Sequence, residues 1–151
     1  MAIRALDVPG TTTTLYPEPF ASKVAGRTKR KLGDFFGLQA FGVNLTTLAP
    51  GGASALRHWH SHQDELIYVV DGELTLLTNA GAELLTAGMT AGFRGGVPDG
   101  HHLVNRSDAP ASYLEIGDRA PDHTTYPDDD IAAQRVDGQW VFTRRDGSPL
   151  G

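Results

Sequence analysis

Apolar and polar residues alternate along this chain in short runs of five to eight, and each run is closed by Gly, Pro, Asn or Asp. A period of two is the mark of a half-buried strand, and closely spaced turn residues between such runs predict a β-sandwich or barrel. FGVNLTTL (41–48) reads as the first strand, and Pro50-Gly51-Gly52 turns the chain into RHWH (57–60). LIYVV (66–70), Asp71-Gly72 and ELTLLTN (73–79) then form the clearest hairpin pattern. A two-residue turn at Asp71-Gly72 pairs Val70 with Glu73, Val69 with Leu74, Tyr68 with Thr75 and Ile67 with Leu76. Glu65 shares a face with Ile67 and Val69, so Leu74, Leu76 and Thr78 are expected beside it in the interior.

Asn79-Ala80-Gly81 is the next turn, with AELLT (82–86) a short strand after it. The glycine-rich stretch from Gly88 to Gly100 reads as loop with strand fragments. HHLVN (101–105) and ASYLEI (111–116) are two further strands joined through Arg106-Ser107-Asp108. The pattern divides the chain into an extended arm at about 1–39, a barrel core at about 40–117 and a tail at 118–151. Within the tail, RAPDHTTYPDDD is polar and proline-broken, and QWVFTRRDG (139–147) reads as a last strand with Trp140 and Phe142 on one face. No repeat or second domain is evident, and the whole reads as one domain.

The arm holds a basic run, Arg27, Lys29, Arg30 and Lys31, read as a solvated loop in preference to an anion or nucleic-acid contact. Over 151 residues the net charge is −5, which offers no electrostatic attraction to nucleic acid or an acidic membrane. Forty per cent hydrophobic residues suffice for one core, and 18 glycines with 9 prolines favour β-structure rich in turns. Without cysteine there is neither disulfide nor thiolate. MAIRALDVPG lacks the apolar centre of a signal peptide, and no run approaches the ~20 apolar residues of a membrane span. The expectation is a soluble, cytoplasmic protein.

Three of the six histidines, His58, His60 and His62, fall within five residues, and Glu65 follows. Strand alternation puts His58 and His60 side by side, and two imidazoles with a nearby carboxylate suit a divalent transition metal. Burying such groups on an apolar face without a cation would be costly.

The spacing Gly52, five residues, His58, one, His60, four, Glu65, six, Gly72 resembles the first signature motif of the cupin superfamily at every fixed position. The resemblance implies an antiparallel cupin-type β-barrel (a double-stranded β-helix, or jelly-roll). It also implies a metal centre of two His and one Glu from this motif and one His from a second. The second motif runs Gly, five residues, Pro, one, Gly, two, His, three, Asn. Here Gly88 leads to Arg94 where the family has Pro, then Gly95, Gly96 and, after four residues, His101, with Asn105 three further on. The proline is lost and the loop is two residues longer, but His101 takes the fourth ligand position. Its alternation with Leu103 and Asn105 selects it over His102.

The expected centre is therefore His58, His60, Glu65 and His101, in a pocket lined by Ile67, Val69, Leu74, Leu76, Leu103 and Asn105. Three nitrogens and one oxygen leave open positions on a six-coordinate ion, and Mn, Fe, Ni, Zn and Cu all suit the set. His62 is either a group at the pocket mouth behind the ligands or an exposed turn residue, and His123 is exposed. Arg94 is a candidate contact for a substrate anion, against the commoner reading of a surface arginine.

The resemblance implies a metalloenzyme acting on a small organic substrate, an oxygenase or an isomerase or epimerase of a carbonyl compound. The alternatives are a small-molecule-binding or sensor module that turns nothing over, and an accessory subunit. No general base is identified. Trp59, Leu66, Tyr68 and Val70 are expected on the outer face, and covering them calls for the arm or a second subunit in a homodimer.

Overall fold

The computed structural model describes residues 1–150. After a single helical turn at Ala5–Asp7, the arm contributes β1 (Gly10–Thr11) and, past a second turn at Ala21–Val24, β2 (Arg27–Lys31). One short helix, α1 (Leu32–Phe35), leads to β3 (Phe41–Leu48), β4 (Trp59–His60), β5 (Glu65–Asp71), β6 (Glu73–Thr78) and β7 (Gly81–Thr86). Then follow β8 (Thr90–Phe93), β9 (His102–Val104), β10 (Ala111–Asp118), β11 (His123–Thr125), β12 (Ala132–Val136) and β13 (Gln139–Thr143). All pairings are antiparallel, in sheets ordered β1-β2-β3-β10-β5-β8, β7-β6-β9 and β13-β12-β11-β4. Isolated bridges Ala53↔Val104 and His58↔His101 join the two smaller sheets into one wall. That wall faces the six-stranded sheet in the all-β jelly-roll expected from the sequence. No helix among the described residues is long and apolar enough to cross a membrane.

Two layers of side chains hold the walls together. Leu48, Ile67, Val69 and Tyr113 of the larger sheet meet Leu74, Leu76, Leu85 and Leu103 of the opposite wall. A second cluster, Leu56, Tyr126, Ile131 and Ala133, packs with Tyr16, Phe20, Trp140 and Phe142, so arm and tail close one end of the barrel.

The expected β5–β6 hairpin does not form. β5 pairs with β10 and β8, whereas β6 pairs with β7 and β9, so Asp71-Gly72 is a corner at which the chain leaves one sheet for the other. Gly72 has φ +75°, and a Cβ there would lie 2.7 Å from the Ala111 Cβ and 2.9 Å from the Pro110 carbonyl. A glycine with room for an incoming strand suits a corner better than an open turn. Ile67 and Val69 still bury against Leu74 and Leu76, but across the barrel.

The basic run also departs from its reading as a loop. Residues 27–31 form β2, in register with β3 from Arg27↔Leu48 to Lys31↔Asn44. The polar tail likewise supplies β11 and β12 in addition to the expected last strand, β13.

Candidate metal centre

β4 ends on His60, two residues after the bridge that ties His58 to His101, and β5 begins on Glu65. This arrangement gathers His58, His60 and His101 around the Glu65 carboxylate. The His60 Nε2 lies 2.8 Å from Glu65 Oε1, the His101 Nε2 2.6 Å from Glu65 Oε2, and the His58 Nε2 3.8 Å from Oε1. Ring centres of His58 are 4.9 Å from those of both His60 and His101. Ligand atoms of His58, His60 and Glu65 lie within 4.8 Å of one another, a group that could hold a metal ion.

The groups behind these rings test the fit. The His58 Nδ1 lies 2.7 Å from the Leu56 carbonyl, and the His60 Nδ1 2.5 Å from Asp122 Oδ2. Both oxygens only accept, so each Nδ1 carries a hydrogen and Nε2 is the nitrogen each ring turns inward, the one available to a metal. Bare nitrogens facing a carboxylate require a proton or a cation between them. In the absence of a cation, burial would lower the His60 pKa, but hydrogen bonds to Asp122 and Glu65 outweigh it and push it up to about 10. Burial likewise opposes ionisation of Glu65, yet hydrogen bonds with His101 and His60 and the nearby His58 ring hold its carboxyl well below the usual range. His101 is fixed differently: Phe93 stacks on it with centroids 3.6 Å apart and planes at 5°, and its buried Nδ1 has no partner. Three imidazoles and one carboxylate, two of the rings held in the ligating tautomer, fit a divalent transition metal.

Asp122 escaped the sequence reading. It is buried; its Oδ2 takes His60, and its Oδ1 accepts the backbone N–H groups of His62 (2.8 Å) and Gln63 (3.2 Å). Those bonds and the pairing of β11 with β4 hold the tail against the site. His62 itself is exposed, its ring meeting only Ser61, so the place behind the ligands belongs to Asp122. His102 turns to the Ala55 carbonyl, 2.8 Å away, and burial lowers its pKa.

The centre opens into a cavity of about 530 Å³, a size suited to a small molecule. Ile67, Leu76 and Leu103 line it. Val69 and Leu74 are fully buried in the core behind its wall, and Thr78 lies outside it at the end of β6. Asn105 is also off the cavity: its amide donates to the Leu48 and Ala109 carbonyls and its Oδ1 accepts from Ser107, which ties down the loop before β10. Arg94, directly after β8, is exposed and outside the lining. Residues that the alternation did not assign complete the wall: Tyr16 from the arm, Tyr126 and Trp140 from the tail, and Arg27 and Lys29 from β2.

The Cupin domain family matches residues 44–117, which hold all four residues of the centre. Among curated proteins none matches the chain. Among solved structures, the fold matches a sugar phosphate isomerase from a cupin superfamily of Silicibacter pomeroyi, with 38% identity and a TM-score of 0.95 over 100% of this chain and 97% of that one. A candidate sugar phosphate isomerase of Acidithiobacillus ferrooxidans is similar at 27% identity and a TM-score of 0.74, over 82% and 80% of the two chains. A polyketide cyclase of Streptomyces resistomycificus shares the fold at 20% identity and a TM-score of 0.65, over 78% of each. With the first motif intact, the barrel closed and a relative alike from end to end, the chain belongs to the cupin superfamily.

Proposed function

We propose that this cupin is a metal-dependent isomerase of a small carbonyl compound, with Mn, Fe, Ni, Zn or Cu held by His58, His60, Glu65 and His101. The observation that carries the reading is the convergence of three Nε2 atoms on one carboxylate inside a cavity of about 530 Å³. Of the two reaction classes open from the sequence, the 38% identity to the Silicibacter sugar phosphate isomerase favours isomerisation over oxygenation. A bound divalent ion would supply Lewis acidity, polarising a substrate carbonyl.

The chain's own groups prepare that site. Asp122 fixes the His60 tautomer, Phe93 fixes the plane of His101, and Ile67, Leu76 and Leu103 keep the wall apolar. Burial raises the Tyr16 phenol and pushes that of Tyr126 well above its ordinary value. Both therefore stay protonated at neutral pH, as hydrogen-bond donors for substrate oxygens and not as bases. The homodimer belongs to the same proposal: Leu66, Tyr68 and Val70 stand 43%, 43% and 44% exposed on the outer face, where a second copy would cover them.

The test is to purify the protein, measure its metal content, and follow aldose–ketose interconversion of a panel of sugar phosphates by proton NMR. Metal-dependent interconversion is the expected result. Ligand-induced stabilisation without turnover across all the metals would replace the isomerase with a sensor, and a protein that retains no metal would remove both.

A further inference from the structure

The inner face of β2 explains a feature that the metal centre does not. Alternation turns Arg27, Lys29 and Lys31 towards the cavity, while Arg30 on the opposite face donates to the Val8 carbonyl of the arm. Lys29 is neutralised by Glu115 at 3.8 Å, and Arg119 at the mouth by Asp34. Arg27 has no such partner among the described residues: no carboxylate lies within 4.0 Å of its guanidinium. It is only 9% exposed, and its one side-chain hydrogen bond runs from Nη1 to the Ser54 carbonyl at 2.6 Å. A guanidinium carries five N–H donors and is always charged, so a buried one without a counter-anion is an unmet demand.

A second observation lies on the neighbouring strands. Thr46 of β3 sits in register with Lys29 of β2 on one side and Tyr113 of β10 on the other. Neither buried hydroxyl, Thr46 Oγ1 or Tyr113 OH, has a hydrogen-bond partner at good geometry, and the side chains of Thr46 and Ser54 lie near the phenol. Tyr113 lines the cavity, and its phenol lies within the field of Arg27. Buried hydroxyls without well-aligned partners are uncommon, and two near an uncompensated arginine leave donors free to turn to something polar in the cavity.

We infer that Arg27, with the Tyr113 hydroxyl beside it, is the recognition point for an oxyanion group, phosphate or carboxylate, on the molecule that enters the cavity. The planar fork of the guanidinium suits the paired oxygens of either group, and the phenol supplies one further donor. This is the role that the sequence offered to Arg94. The inference rests on the cavity being the substrate site, but not on the metal, so the two can fail separately.

Inorganic phosphate and malonate are titrated calorimetrically into the purified protein, before and after chelation, with glycerol as the neutral control. Binding of at least one anion is expected, weakened about tenfold or more by Arg27→Met with metal content unchanged. The preferred anion identifies the group as phosphoryl or carboxylate. If Arg27→Met fails to fold, Arg27→Lys and Tyr113→Phe serve instead, each expected to weaken binding several-fold. The inference is overturned if neither anion binds. It is equally overturned if binding survives the substitutions, and anion binding that disappears only on chelation would place the anion on the metal and leave the isomerase proposal standing.

Discussion

Asp122→Asn tests how the second coordination layer works, because the exchange preserves shape and changes one atom's chemistry. The Oδ1 can keep its bonds to the His62 and Gln63 amides, but an NH2 then faces the His60 Nδ1–H that Oδ2 had accepted at 2.5 Å. Two donors cannot share that position, so His60 must move its hydrogen to Nε2, and the inward lone pair is lost. Loss of such a partner costs 10- to 100-fold in metal affinity, or about 1.4–2.8 kcal/mol. The same substitution has a signature in pH. His60 and two backbone N–H groups overcome the penalty of burial and lower Asp122 from 3.8 to about 2. A carboxyl depressed on folding adds stability above its unfolded pKa, and that stability fades as pH falls through the folded value. In the chelated parent about 2 kcal/mol should therefore be present above about pH 4 and lost towards pH 2, and the variant should lack this limb. Competition with a fluorescent chelator gives the affinity, and melting temperature against pH gives the limb, with His62→Ala as the neutral control. A variant that binds metal as tightly as the parent would show that Asp122 does not orient His60.

Three further outcomes are expected. His101→Ala and His58→Ala should each lower metal content well below one ion per chain by elemental analysis, while far-UV circular dichroism stays that of the parent; undiminished metal would exclude the residue from the centre. Gly72→Ala forces a side chain into a φ of +75° and within 2.8 Å of the Ala111 Cα, which should destabilise the fold by about 2–4 kcal/mol in urea melts, whereas a loss below about 1 kcal/mol would indicate an open turn. Tyr68→Glu, at the centre of the exposed row on β5, should convert a dimer to a monomer in light scattering without altering metal content, and an unchanged mass would place the second copy elsewhere.

What could be read from the sequence was what is local along the chain. His58 and His60 share a strand face through alternation alone, and Glu65 opens the next strand. The fourth ligand position, His101, came from the second motif, and the structure sets it beside the other three through one bridge, His58↔His101. The Asp71-Gly72 corner misled because a hairpin and a change of sheet use the same dipeptide. What separates them is the approach of Ala111, some forty residues away, and nothing near Gly72 encodes it.

Asp122 and Arg27 were missed for a related reason. Asp122 lies in a polar, proline-broken stretch without periodicity, and its partner His60 is 62 residues earlier. Arg27 sits in a run so uniformly basic that alternation is invisible in it. Only pairing with β3 determines that Arg27, Lys29 and Lys31 face inward, and with Glu115 and Asp34 engaged by Lys29 and Arg119, Arg27 is left a buried guanidinium without a counter-anion. Arm and tail thus read as appendages in sequence, yet in the fold each carries a charged side chain into the cavity region. A chain cut back to the motif-bearing barrel would keep the four residues of the centre, but lose both the carboxylate that orients His60 and the arginine that awaits an anion.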